Sequence, residues 1–198
     1  MDKKETVFSQ VEELYKNSDR IMGQWMWSNH VQWVADKAAV LAEKYEADID
    51  KVYCAALLHD LGDSKLERGE DNFDSWSEEK GKEILEKAGF NDAERDEVIE
   101  VIIRPHSCRP GNLPTTLEGK VLATADAMFH LQTSFFPMLC YMNRPEYTET
   151  YEQWQEWFNE KIERDAGPKI FFEDERLEVK PDYDALCRIF KNNSLNST

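Results

Sequence analysis

Residues 52–65, VYCAALLHDLGDSK, place a histidine and several other polar side chains directly after an apolar helix. The residues before His59 are apolar on nearly every face, so the helix that carries them must be buried on most sides. His59 and Asp60 therefore lie at the edge of a core. Gly62 is expected to end the helix, because glycine takes the left-handed terminal conformation without steric cost. The carbonyls at that terminus form the negative end of the helix dipole, which favours a cation.

An imidazole nitrogen beside a carboxylate oxygen is a pairing that first-row divalent metals favour. Neighbouring residues on a helix point about 100° apart, so His59 and Asp60 share an ion only if it lies just beyond the helix terminus. The structural alternative is a hydrogen-bonded core histidine with Asp60 as its partner or as a cap, which is the commoner outcome for an isolated pair. Further ligands elsewhere in the chain decide between the two.

Composition limits the classes of partner. With 198 residues, 41% of them hydrophobic, the chain predicts one domain with a substantial core, with or without an appendage. The net charge of -16 argues against a nucleic acid polymer, whose binding needs a cationic surface. A small phosphorylated compound stays compatible, because a metal ion and a few local basic residues hold one phosphate group in an acidic protein.

Two further features concern location and redox state. No run of about 20 apolar residues occurs, so we expect no membrane contact and a cytoplasmic location. The four cysteines are widely spaced without a C-x-x-C pair, which excludes a zinc ribbon and a thioredoxin-type motif and predicts reduced thiols.

Apolar residues recur at helical spacing along most of the chain, which predicts an all-α helical bundle. The predicted helices are residues 7–16, 30–45, 48–62, 75–89, 91–104, 115–136, 145–164 and 181–190. Asn91 with Glu94 forms a capping-box pattern, and Gly89 is expected to stop the preceding helix. Residues 169–179, KIFFEDERLEV, are the candidate for a short hairpin or an extended segment, and the last eight residues are expected to be frayed.

Two more candidate ligands lie on other predicted helices. His30 begins the core-facing side of its helix, where an isolated histidine is more often an interior or capping residue than a ligand. Asp126 stands among apolar neighbours and needs a partner, because burying a bare charge is prohibitive. That partner is either a metal ion or a basic residue in a structural ion pair.

Together, His30, the His59-Asp60 pair and Asp126 resemble the ligand pattern of the HD-domain superfamily of metal-dependent phosphohydrolases, in which these residue types ligate a divalent ion inside a helical bundle. The resemblance covers residues 25–136 and includes the local sequences NHV, AALLHDLGDSK and LATADAMFHL. It implies an HD domain at residues 1–136 and a C-terminal helical extension, residues 137–198, packed on the same core. It also implies one divalent ion, and the ligand types do not distinguish among Mn, Mg, Fe, Co, Ni and Zn.

Within the superfamily, the chain is most similar to small single-domain hydrolases that follow the doublet with D-x-K, matched here by Asp63 and Lys65. This resemblance implies an enzyme that cleaves a phosphoester or phosphoanhydride bond of a small nucleotide. Such relatives often read D-A-D-R-L-D where residues 124–129 read TADAMF, so their substrate preference is not carried over. The alternatives are a monophosphatase acting on nucleotides or sugar phosphates, and a binding module whose metal is a sensor or a structural clamp.

The ligand count implies a mechanism. Two imidazoles and two carboxylates leave about two of six octahedral positions for a water and a phosphoryl oxygen. Asp63 is the candidate for orienting or deprotonating the water and Lys65 for pairing with a phosphoryl oxygen, with a solvated loop as the alternative for Asp63. Arg104, His106 and Arg109 are candidates for the far side of the phosphate, with an ordinary surface role as the alternative.

A second metal is disfavoured. Superfamily members with two ions generally add two histidines between the doublet and the last aspartate, and only His106 lies there. His130 follows Asp126 by one helical turn and can share its face, but on an apolar helix such a histidine is more often a packed core residue. The aromatic residues after residue 137 are open to three roles: a lid, a base-stacking wall or the contact of a homodimer.

Overall fold

The computed structural model describes residues 2–142 and 150–190. Within these ranges the chain forms helices and no β-strand, which confirms the all-α prediction. The chain separates into two compact units, Met1–Ala125 and Asp126–Thr198. The predicted organisation, an HD domain at residues 1–136 with an extension at 137–198 on the same core, stays a prediction.

The first unit contains α-helices, two π-helical segments and one 3₁₀ turn. In chain order these are α1 (Lys3–Lys16), α2 (Ile21–Trp25), the π-helical segment Met26–Val31, α3 (Gln32–Tyr45), α4 (Ile49–Leu58), the 3₁₀ turn Leu61–Ser64, α5 (Phe73–Lys87), α6 (Asp92–Asp96), the π-helical segment Glu97–Ile103 and the start of α7 (Leu117–Gln132). The second unit contains the end of α7, then α8 (Phe135–Met142), α9 (Tyr151–Ala166) and α10 (Glu173–Phe190).

Helix α4 forms the centre of the first unit. Its residues Val52 and Cys54 to Leu58 are all buried, as their continuous apolar sequence predicts. Helices α1 and α3 and the segment Glu97–Ile103 pack around it. The Asp48 side chain accepts a hydrogen bond from the Lys51 amide at 3.1 Å and so caps the helix. This burial fixes the position of the polar residues that follow.

Two other local predictions are confirmed. Asn91 and Glu94 form a capping box, with the Glu94 amide 3.0 Å from Asn91 Oδ1 and the Asn91 amide 2.8 Å from Glu94 Oε2. Gly89, two residues past the end of α5, has a φ of 85°, which is the left-handed conformation expected there. Both features depend only on residues close in sequence.

The prediction for Gly62 is wrong. Helix α4 ends at Leu58, and Gly62 lies inside the following 3₁₀ turn rather than in a left-handed terminal position. A Cβ atom at Gly62 would lie 2.5 Å from Phe73 Cζ and 2.6 Å from Ser77 Oγ. The glycine therefore allows helix α5 to approach this turn closely.

The prediction of an extended segment at residues 169–179 is also wrong. Helix α10 begins at Glu173, and Pro181, the predicted helix start, lies inside it. Three acidic residues in the first turn favour a helix there through its dipole, and this outweighs the β-propensity of the neighbouring aromatic residues. Helix α9 begins after a capping box of Thr150 and Gln153. The predicted start of that helix at residue 145 and the predicted frayed tail lie outside the described residues.

The part of the chain that the structure describes contains neither a membrane-spanning helix nor a disulfide bond. No helix within residues 2–142 and 150–190 combines the length and the apolar character that crossing a bilayer requires. All four cysteines lie in these ranges, and none forms a disulfide, as predicted from their spacing.

Candidate metal centre

His30 lies in the π-helical segment Met26–Val31, and its side chain is buried. The segment joins α2 to α3 without a break in the helical backbone. π-Helical turns insert one extra residue per turn and are frequent at functional sites, because they rotate a side chain away from regular helical spacing. The sequence predicted a regular helix that begins at His30, so the π-helical turn around this residue is seen only in the structure.

His59 directly follows the last residue of α4, and its ring is held by the backbone of the same helix. His59 Nδ1 lies 2.7 Å from the Ala56 carbonyl oxygen. A carbonyl only accepts hydrogen bonds, so Nδ1 carries the proton and the neutral ring has its lone pair on Nε2. Histidine ligands of metal ions are commonly oriented by such a bond from the other ring nitrogen.

Asp60 is fixed through its backbone as well as its side chain. The Tyr15 hydroxyl, from a fully buried residue of α1, donates to the Asp60 carbonyl oxygen at 2.7 Å. The Tyr15 ring stacks on Trp27 with centroids 5.9 Å apart. Helix α1 therefore contributes directly to the position of Asp60.

His30, His59 and Asp60, here called the His-His-Asp triad, direct three ligand atoms at one point. His30 Nε2 lies 2.9 Å from His59 Nε2 and 3.3 Å from Asp60 Oδ2, and His59 Nε2 lies 3.5 Å from the same oxygen. Ligands in neighbouring octahedral positions about 2.1 Å from an ion are about 3.0 Å apart, so this triangle matches one face of a coordination shell. The two imidazole nitrogens and the carboxylate oxygen repel one another at these distances unless a proton or a cation lies between them. The three side chains therefore fit a divalent ion.

The Asp60 carboxylate is negatively charged in this environment. Burial by itself would raise the pKa of Asp60, but the positive Arg68 guanidinium and the two histidines outweigh burial and hold that pKa well below its usual range. Arg68 Nη2 lies 2.7 Å from Asp60 Oδ2. An ionised carboxylate is the form that ligates a metal ion.

Asp63 and Lys65, the predicted catalytic residues, differ in their surroundings. Asp63 is 1% exposed, and both of its carboxylate oxygens accept hydrogen bonds from Arg68. Lys65 is exposed. The sequence interpretation missed Arg68, and the one signal for it is that Arg68 is the single basic residue among residues 66–74. It missed Tyr15 too, for which no local pattern exists.

The predicted phosphate-side residues separate into one neighbour of the triad and two surface arginines. The His106 ring lies 5.2 Å from that of His59 in an edge-to-face arrangement, and His106 Nδ1 donates to the Ile103 carbonyl at 2.6 Å. Arg104 is exposed and pairs with Glu78 through two hydrogen bonds of 2.9 and 2.8 Å. Arg109 is exposed in a turn closed by Asn112. Their roles toward a substrate stay predictions.

Asp126 lies on α7 in the second unit and belongs to a buried polar cluster there. Its carboxylate pairs with Lys169 and lies 3.3 Å from His130 Nε2. His130 Nδ1 and Lys161 Nζ lie 3.0 and 3.1 Å from Asp165 Oδ2. Burial lowers the pKa of His130 to about 4 despite the neighbouring carboxylates, so its imidazole is neutral near pH 7. The sequence interpretation left a structural ion pair open for Asp126, and its predicted role as the fourth ligand stays a prediction.

These features agree with a known family. The HD domain family model matches residues 27–129, which is more than half of the chain. The chain therefore belongs to the HD domain family, a group composed generally of metal-dependent phosphohydrolases. This confirms the resemblance found in the sequence.

Individual relatives extend the comparison. The chain is similar to the uncharacterized protein YpgQ of Bacillus subtilis (strain 168), with 38% identity over 104 residues that cover 50% of this chain and 48% of YpgQ. In that sequence match the chain spans about half the length of its relative. The crystal structure of selenomethionine YpgQ from Bacillus subtilis aligns with a TM-score of 0.61 and 22% identity over 94% of this chain and 93% of that chain. The structural likeness supports the helical fold.

Proposed function

We propose that this protein is a metal-dependent hydrolase that cleaves a phosphoester or phosphoanhydride bond of a small nucleotide. The observation that carries the proposal is the His-His-Asp triad, whose three ligand atoms lie within 3.5 Å of one another. Membership of the HD domain family supports the same chemistry. The nucleotide is the finer part of the proposal and comes from the D-x-K resemblance at Asp63 and Lys65.

The side chains of the triad would hold one divalent ion, with Asp126 proposed as its fourth ligand from the family pattern. When bound, such an ion lowers the pKa of water and neutralises charge on phosphoryl oxygens. The Ala56 carbonyl keeps the proton of His59 on Nδ1, which preserves its Nε2 lone pair for binding. The Tyr15 hydroxyl keeps the Asp60 backbone in place.

Residues beside the triad would handle the substrate and the protons. The Lys65 side chain is exposed. We propose that its ammonium group pairs with an anionic oxygen of the substrate. His106 lies beside His59, and its Nδ1 proton is donated to the Ile103 carbonyl, so the lone pair of the neutral ring is on Nε2. We propose both residues as substrate contacts.

The test pairs metal analysis with a substrate panel. Metal-stripped protein is titrated separately with Mn²⁺, Mg²⁺, Fe²⁺, Co²⁺, Ni²⁺ and Zn²⁺, and each loaded form is assayed on nucleoside mono-, di- and triphosphates and on sugar phosphates, with phosphate and pyrophosphate scored separately. We expect turnover of a nucleotide by the wild type and loss of both metal binding and turnover in His59→Ala and Asp60→Ala. Asp96→Ala is the matched control, because this carboxylate is 59% exposed and pairs with Lys82.

The outcomes separate the alternatives. Phosphate release from monophosphates alone identifies a monophosphatase, and tight metal binding without turnover of any compound identifies a binding module. Equal turnover by the wild type and Asp60→Ala refutes the enzyme proposal.

A further inference from the structure

The guanidinium group of Arg68 bridges the His-His-Asp triad and Asp63. Its Nη2 atom lies 2.7 Å from Asp60 Oδ2 and 2.5 Å from Asp63 Oδ2, and its Nε atom lies 3.0 Å from Asp63 Oδ1. Asp60 Oδ2 is the same oxygen that faces both imidazoles of the triad. Arg68 therefore places a fixed positive charge next to the proposed ion.

Only one side of the guanidinium is engaged. Among the described residues, the hydrogen bonds of Arg68 are made by Nε and Nη2, while Nη1 makes none. The Arg68 side chain is 61% exposed, whereas the side chains of Asp60 and Asp63 are 14% and 2% exposed. The remaining N–H groups thus face solvent beside the triad. Both of these N–H groups belong to Nη1, and a guanidinium N–H makes strong, charge-assisted hydrogen bonds to phosphate oxygens.

The loop that carries Arg68 is built to hold the side chain in this position. Gly69 has a φ of 100°, a conformation that reverses the chain directly after Arg68 and that other residues rarely adopt. The Arg68 guanidinium carbon lies 6.0 Å from the centre of the Phe73 ring. The same ring packs on Gly62 within the turn that carries Asp63. Backbone and aromatic contacts therefore both direct Arg68 back over the two carboxylates.

We propose that Arg68 binds the phosphoryl group of the substrate beside the metal ion and that Asp63 anchors Arg68 for this task. The proposal rests on the proposed function and names a residue that binds the anion. It assigns Asp63 a role through Arg68, because both Asp63 oxygens accept hydrogen bonds from the guanidinium. It also favours Arg68 over Arg104, because Arg68 Nη2 contacts Asp60 of the triad, whereas Nε and Nη2 of Arg104 are held by Glu78 and its Nη1 lies 3.9 Å from Glu100.

The test measures the affinity for Mn²⁺ alone and then the affinity of the Mn²⁺-loaded protein for inorganic phosphate, both by calorimetry. Arg68→Met should weaken phosphate binding about 10- to 100-fold, as expected for the loss of charge-assisted hydrogen bonds, while Mn²⁺ binding stays within about threefold of the wild type. Arg68→Lys keeps the charge but not the planar guanidinium that holds both carboxylates while Nη1 stays available, so it should restore only part of the phosphate affinity. Arg95→Met is the matched control, since Arg95 pairs with Asp92 on α6, and it should leave both affinities unchanged.

Asp63→Asn tests the anchor. If Asp63 acts through Arg68, Asp63→Asn weakens phosphate binding when Arg68 is present. The same change has little further effect in the Arg68→Met background, because a shared role makes the two effects non-additive. Unchanged phosphate affinity in Arg68→Met, weaker Mn²⁺ binding with phosphate binding intact, or a wild type that binds no phosphate would each overturn the proposal. A wild type that binds phosphate through Arg68 but hydrolyses no nucleotide would refute the proposed function and leave this inference standing.

Discussion

Replacement of Gly62 by alanine tests how the turn beside the triad is built. The new Cβ atom would lie 2.5 and 2.7 Å from two atoms of the Phe73 ring and 2.6 Å from Ser77 Oγ, all closer than van der Waals contact. Such overpacking costs about 1–3 kcal/mol. Gly62 is outside the positive-φ region, so alanine also stabilises the protein by about 0.4–1 kcal/mol through the unfolded chain. We expect a net loss of about 1–2 kcal/mol, measured by urea unfolding.

The rescue experiment identifies the cause of that loss. Phe73→Leu removes the two ring atoms that the alanine would meet, so Gly62→Ala should cost clearly less in the Phe73→Leu background, with a coupling of about 1 kcal/mol. Gly89→Ala is the control, since this glycine has a φ of 85° and open space around its Cβ position. Its cost should come from backbone strain and should be the same with or without Phe73. Additive effects of Gly62→Ala and Phe73→Leu, within about 0.5 kcal/mol, would refute the packing explanation.

Three further changes test the interior. Tyr15→Phe removes the hydroxyl that donates to the Asp60 carbonyl at 2.7 Å, so it should destabilise the protein by about 1–3 kcal/mol in urea unfolding and weaken Mn²⁺ binding. An unchanged free energy of unfolding together with unchanged Mn²⁺ affinity would show that this bond does not position the triad. Lys169→Met removes a buried cation from the Asp126 carboxylate and should cost about 3–5 kcal/mol in the same assay, whereas a neutral result would mean that the rest of the cluster compensates the charge. Burial raises the pKa of the Cys54 thiol to about 12, so Cys54 should react with a disulfide reagent only after unfolding, while half-buried Cys187 reacts in the native protein. Rapid native labelling of Cys54, located by peptide mass mapping, would contradict its burial.

The sequence predicted the features that depend on neighbours along the chain. The continuous apolar residues of α4 predicted its burial, and Asn91 with Glu94 predicted a helix start. His30, His59 and Asp60 were identified as ligand candidates because their residue types and helical placement follow a known pattern. The prediction for Gly62 was wrong, because the role of this glycine depends on how closely α5 approaches the turn that contains it. The distance between these two elements cannot be predicted from a local sequence pattern.

The amino-acid sequence by itself determined the helical class of this protein and the residue types available to hold an ion, since helical periodicity and side-chain chemistry are local properties. Only the tertiary structure decided that His30 Nε2 and His59 Nε2, 29 residues apart, lie 2.9 Å from each other. It also decided that Arg68 returns over Asp60 and Asp63. The physical reason is that such distances follow from the packing of whole helices and the course of loops, where many weak contacts act together and no single residue specifies the outcome.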